Sequence, residues 1–346
     1  MRPVLRRFLP FVLLLTATVA GHAQIVFSFN YLDTTSGFND ATLGAERKAA
    51  LQSAANTLAS YFTGYPSRTV TITVNVSENN AGSSTLASAG SSFFVVNNSF
   101  QAGLVQQMIQ SGTNNGQSSL GSMTWNFGRA WDYDDSVAGG TFDFKTVAIH
   151  ELLHAVGFSS YISSTGAGGG NGSTYSKFDQ FLTDASGNRL VDTGGNYVGG
   201  SILSNGTGSD VYFSGANAMA ANGGARVHIY SPTTYLDGSS LSHLDTDFFT
   251  SSAFIMEHAI ATGAGTRTLS AIELGILTDL GYSVSAIPEP ATYAALLGLL
   301  ALGAVTLGLA RIALVVAGLV RLAVGVAQPG LPIHNCGDAV RLGPDR

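Results

Sequence analysis

Two histidines spaced four apart inside an apolar run constrain this chain more than any other feature. His150 and His154 stand in Thr146-Val-Ala-Ile-His-Glu-Leu-Leu-His-Ala-Val-Gly157. A spacing of four on a helix turns both imidazoles to the same face. The flanks Val147, Ala148, Leu152, Leu153, Ala155 and Val156 bury the helix and keep that face stiff. Thr141 or Asp143 is placed to cap its start, and Gly157 closes its end. Two imidazoles so aligned reach one metal ion at about 2.0–2.1 Å. The simpler alternative is a pair of histidines packed on a buried helix.

Glu151, one residue along, can take a proton from water at the metal without becoming a ligand. A catalytic zinc keeps three protein ligands and an open fourth place, so a third ligand is needed downstream. The first glutamate after Glu151 is Glu257, too distant to be a nearby acidic ligand. Three histidines remain in the body: His228, His243 and His258. His228 lies in an alternating segment, Arg226 to Tyr230, and reads as structural. Asp179 is an alternative acidic ligand, although Phe178-Asp179-Gln180-Phe181 reads as a turn into a strand. Asp132, Asp134 and Asp135 offer hard oxygens for calcium, yet lack the spacing of a known loop. A solvated acidic turn is the plainer reading.

Around the motif the pattern is α+β. Ile25 to Asn30 reads as a strand, and Ala45 to Phe62 as an amphipathic helix. Val70, Ile72, Val74 and Val76 alternate along a half-buried strand from Thr69 to Val76. Ser92 to Asn97 and Ser122 to Phe127 are further strand candidates, with a short helix near Ala102 to Ile109 between them. Ser163 to Gly172 is almost all Gly, Ser and Ala, a flexible loop. Short strands and turns follow. Ser270 and Glu273 form a capping box for a last helix closed by Gly281. The predicted architecture is a twisted N-terminal sheet carrying the motif helix, then a loop-rich C-terminal subdomain ending in a helix.

The ends read as addresses. Arg2, Arg6 and Arg7, the apolar run Phe8 to Val19 and Gly21-His22-Ala23 predict a signal peptide over residues 1–23, cut by a signal peptidase. Residues 24–284 are then the exported domain. Its formal net charge of −6 over the whole chain, with no basic patch outside the termini, argues against nucleic acid or an anionic membrane as partner. The one cysteine, Cys336, lies in the tail. The domain therefore has no disulfide, and no upstream cysteine can mask the site.

Pro288-Glu289-Pro290, the apolar run Ala291 to Ala310 and Arg311 resemble the PEP-CTERM sorting signal of Gram-negative bacteria. The resemblance implies a membrane-crossing segment over 285–311, processing by an exosortase, and a final place at the cell surface or in the extracellular matrix. The membrane would be met only there. Residues 312–346 continue past that pattern, with no role assigned.

Gly157 stands three residues after His154, as in metzincins, but Ser160 stands where their usual third histidine would fall. Gly238-Ser-Ser-Leu-Ser-His243-Leu-Asp245, then Phe254-Ile-Met256, and Leu277-Thr-Asp-Leu-Gly-Tyr282 are similar to the leishmanolysin branch of metzincin zinc proteases. That resemblance spans about residues 140–284, with the middle insertion unmatched, and the branch's disulfides are missing. It implies His243 as the third zinc ligand beside His150 and His154, Met256 as the methionine turn, and Glu151 as general base. The expectation is a zinc endopeptidase acting on proteins or peptides. The alternatives are a surface or matrix protein with a structural zinc, or a non-peptide metal hydrolase.

Overall fold

In the computed structural model of the 346-residue chain, residues 25–78, 81–205, 210–249, 254–286 and 338–342 are described. The expected signal peptide and nearly all of the expected sorting segment lie outside them, as does most of the 312–346 tail. Among the described residues no helix is long and apolar enough to cross a membrane. The architecture is mixed α/β with several small sheets, compatible with α+β.

The N-terminal half runs β1 (Ile25–Tyr31), α1 (Gly44–Ala59), β2 (Arg68–Glu78), β3 (Thr85–Ser91), β4 (Ser99–Gln101), α2 (Leu104–Ser111), β5 (Gly121–Asn126), β6 (Trp131–Asp132), β7 (Phe142–Asp143) and α3 (Phe144–Ala155). Period-two burial in β1 (Ile25, Phe27, Phe29) meets the same pattern in β2 (Val70, Ile72, Val74). The register pairs Phe27 with Val70 and Phe29 with Ile72. Parallel neighbours need a crossover, and α1 supplies it, with Leu51, Ala54, Ala55 and Leu58 buried. β5 continues the parallel order, and β3 pairs antiparallel to it. α3 lies beside α1 and packs on β3 and β5. Its first residue, Phe144, stacks on the buried Trp125 of β5 at 4.2 Å between ring centres. Burying each such side chain contributes about 1.5–3 kcal/mol, which fixes the start of α3 against the sheet.

The C-terminal half holds β8 (Thr174–Ser176), β9 (Leu182–Thr183), α4 (Ile202–Asn205), β10 (Val211–Phe213), α5 (Ala216–Ala221), β11 (Val227–Ile229), β12 (Ala259–Ile260), α6 (Ala271–Asp279) and β13 (Asp338–Leu342). β9, β10 and β11 form a small antiparallel sheet, and α5 packs on α6. The end of α6 joins the halves: Leu280 O accepts from Gln106 and Gln110 of α2, and the Tyr282 hydroxyl donates to Val156 O at 2.6 Å. Val284 bridges Phe62, and Ser285 N donates to Tyr61 O.

Two expectations need correction, and a segment with no role assigned gains an element. Ser92–Asn97 is not a strand: the preceding strand ends at Ser91, and Ser92 spends its N–H on Leu120 O and its carbonyl on Leu104 N, the first residue of α2. The Gly/Ser segment 163–172 is ordered into turns, with Ser163 N bonded to Ala167 O, Gly168 N to Gly172 O and Gly169 N to Thr174 O. Gly166, Gly170 and Gly172 take positive φ there, which glycine alone adopts at no cost. Finally, the unassigned tail contains a strand, β13, inside the main sheet, whose order is β1-β2-β5-β3-β13-β12.

Candidate metal centre

Asp143 starts the motif helix, its Oδ1 accepting from Lys145 N and Thr146 N, so it and not Thr141 is the cap. Arg267 pairs with the same carboxylate at 2.9 Å and ties the helix start to the C-terminal half. Gly157, at φ +105°, ends it. Between these stops His150 and His154 fall one turn apart, both buried.

His243 arrives from a loop strapped on both sides. Tyr230 N donates to His243 O, Leu241 N to Tyr230 O, and Leu244 N to Met256 O. Leu241, inside that loop, holds φ +68°, a left-handed conformation costly for a branched side chain. Ser160, where a compact motif would place its third histidine, instead uses its N–H to hold Ser242 Oγ at 3.0 Å. Ser160 thereby braces the residue before His243.

The three Nε2 atoms stand 3.0, 3.1 and 3.2 Å apart. Each ring's Nδ1 lies against a backbone carbonyl: His150 on Ile255 O at 2.7 Å, His154 on Phe158 O at 2.8 Å, His243 on Ser239 O at 2.7 Å. A carbonyl only accepts, so each Nδ1 carries the hydrogen and, in a neutral ring, each Nε2 presents a lone pair. Burial holds the rings neutral, pushing His150 down to about 4 and the other two well below the usual histidine value. Three lone pairs converging in a buried space repel one another unless a cation sits among them. Three ligands at 2.0–2.1 Å from one tetrahedral ion stand about 3.3 Å apart, so the residues fit such an ion. Carbonyl partners on the far nitrogens also match the orienting bonds metal-ligating histidines use. Among the described residues these three are the one His/Cys/Asp/Glu group so convergent, and no fourth such atom joins them.

Glu151 is fully buried beside His150 along the helix, and Met256 is fully buried just after Ile255. Glu273, whose importance beyond the capping box no sequence signal disclosed, accepts from Ile255 N at 2.7 Å and Met256 N at 2.8 Å. It thereby fixes the carbonyl that orients His150. A cavity of about 220 Å³ opens next to His150, lined also by Thr146, Val147, Ile255, Glu257 and Ile260.

The other candidates stand apart. His258 stacks on Tyr230 at 3.6 Å and meets Thr246 Oγ1. His228 stacks on Phe248. Asp179 is spent on Ser160 Oγ, Tyr161 N and Ser176 N. Asp132 accepts from Asp134 N and Ala138 N, while Asp135 pairs with Lys145 and Arg267. Those oxygens are engaged within the protein, and Asp134 is not drawn into a cluster with them. No protein-family model, curated protein or solved structure matches the chain.

Proposed function

We propose that this chain is a zinc-dependent endopeptidase, with His150, His154 and His243 holding the ion and Glu151 as general base. The observation that carries the reading is the convergence of three Nε2 lone pairs whose far nitrogens all donate to backbone carbonyls. A structural zinc site is closed by four protein ligands, whereas a catalytic one keeps three; three converge here among the described residues. Zinc, when bound, supplies Lewis acidity toward a peptide carbonyl and toward water. Glu151 then takes the proton from the attacking water on its carboxylate and delivers it to the leaving amine. The cavity beside His150 gives a substrate side chain a place next to that chemistry. The likeness to the leishmanolysin branch and the exported, surface-directed location belong to the same proposal, resting on the residues quoted for them.

The test is cleavage of unfolded casein by the purified protein and by Glu151→Gln, each with zinc and with a chelator. The variant is expected to bind zinc with unchanged stoichiometry and to lose turnover by about 10²–10⁴-fold. A variant as active as the wild type would sink the mechanism. A wild type that binds zinc and cuts nothing would shift the reading to a structural-zinc surface protein.

A further inference from the structure

β13 reaches the main sheet from far along the chain. Asp338–Leu342 lies between β3 and β12, antiparallel to β3 (Asp338 opposite Ala89, Arg341 opposite Thr85) and parallel to β12 (Arg341 opposite Ala259, Leu342 opposite Ile260). Both neighbours belong to the metal centre's surroundings. β3 is the strand on which α3 packs. β12 begins shortly after Met256, and its Ile260 lines the cavity beside His150.

β3 spends one edge on β5 and its other on β13, and among the described residues the only strand paired with β12 is β13. With β13 withdrawn, two backbone edges face each other across a gap one strand wide. Such a slot takes an extended peptide through main-chain hydrogen bonds and demands no particular side chains of it. It would also leave β3 as an open sheet edge, a state proteins generally cover. A short strand binds weakly alone, but a tether raises its local concentration to the millimolar range.

We infer that Asp338–Leu342 is a cis occupant of the peptide slot between β3 and β12, so that the full chain keeps a substrate backbone from seating there, beside the open cavity at His150, until this segment leaves. That exclusion of substrate rests on the endopeptidase reading; the occupancy does not.

The test compares the full chain with Arg341→Pro, at the residue opposite both Thr85 of β3 and Ala259 of β12, each protein loaded with zinc. Proline removes an N–H and is excluded from strands paired on both sides. Hydrogen exchange is expected to quicken at least ~10-fold at those amides of Thr85–Ser91 that face β13, while β1 and β2 stay protected. Casein cleavage is expected to rise. Equal exchange across Thr85–Ser91 in the two proteins would overturn the occupancy. Faster exchange with the same measurable cleavage would overturn the exclusion of substrate. Faster exchange with no cleavage by either protein would uphold the occupant and count against the endopeptidase reading instead.

Discussion

Asp179 shows how one buried side chain away from the three histidines can be consequential for stability. Its carboxylate is enclosed, accepts from Ser160, Tyr161 and Ser176, and is pushed by burial from 3.8 up to about 6. A raised carboxyl binds its proton more readily in the folded state than in the unfolded one. Its contribution to stability is therefore full below about pH 3.8 and declines as pH rises toward about 6. Asp179→Asn is neutral throughout. The stability of the wild type minus that of Asp179→Asn should fall between pH 4 and 6.5 and be flat above about pH 7. Urea unfolding of both proteins across this range checks it, since the buried histidines contribute equally to each and cancel. A flat difference would mean the carboxylate is ionised without penalty. The sequence placed Asp179 near the metal only as an option; what its neighbours would be depended on the fold bringing Ser160 and Ser176 together.

At the scale of elements, α6 controls the site from outside it. Glu273 closes its capping box with Ser270 and, with Oε1, receives both Ile255 N and Met256 N. Glu273→Ala would leave those buried N–H groups without an acceptor, at about 1–3 kcal/mol each. It should also weaken zinc binding by about 10–100-fold, because the Ile255 carbonyl that orients His150 is no longer held. Glu273→Gln retains an acceptor oxygen and should recover most of the affinity; titration with a competing zinc indicator separates the three proteins. The capping box was plain in the sequence, as were β1, β2 and the motif helix, because period-two and capping patterns are local. β3 was not. Its Thr-Leu-Ala-Ser-Ala-Gly-Ser is made of small residues because α3 lies on it, and Ala87 and Ala89 are fully buried where an alternating pattern would show large side chains. The β-prone Phe94, Val95 and Val96 next to it are exposed and lie outside the sheet. Propensity favoured the wrong neighbour, since packing of small residues under a helix leaves little trace in hydropathy.

At the scale of the whole molecule, the third histidine of the cluster has the same non-local character. His150 and His154 announce themselves by spacing, but His243 comes from 89 residues beyond His154 and could be singled out only through resemblance. The two ends pose a further constraint. A single crossing of a membrane over the expected sorting segment would put Asp338–Leu342 on the opposite side from the body. The seated strand and that crossing therefore exclude one another in one molecule, and seating belongs to a state in which the tail has not crossed once. The body itself is held by apolar packing whose buried core runs from Ile25 to Tyr282, and the one cysteine of the chain, Cys336, follows that stretch in sequence. An ion held by α3 and by the His243 loop, as proposed, would act as the cross-link that a disulfide would otherwise provide. Ligand binding to the folded state alone adds RT ln(1 + [L]/Kd), about 2.7 kcal/mol at a free zinc concentration 100 times Kd. For a body of this size each kcal/mol moves the melting temperature by about 2–4 °C, so chelation should lower it by roughly 5–10 °C. Reductant should leave it unchanged. A melting temperature that ignores the chelator while zinc is shown to leave would mean that the metal does not join the two halves.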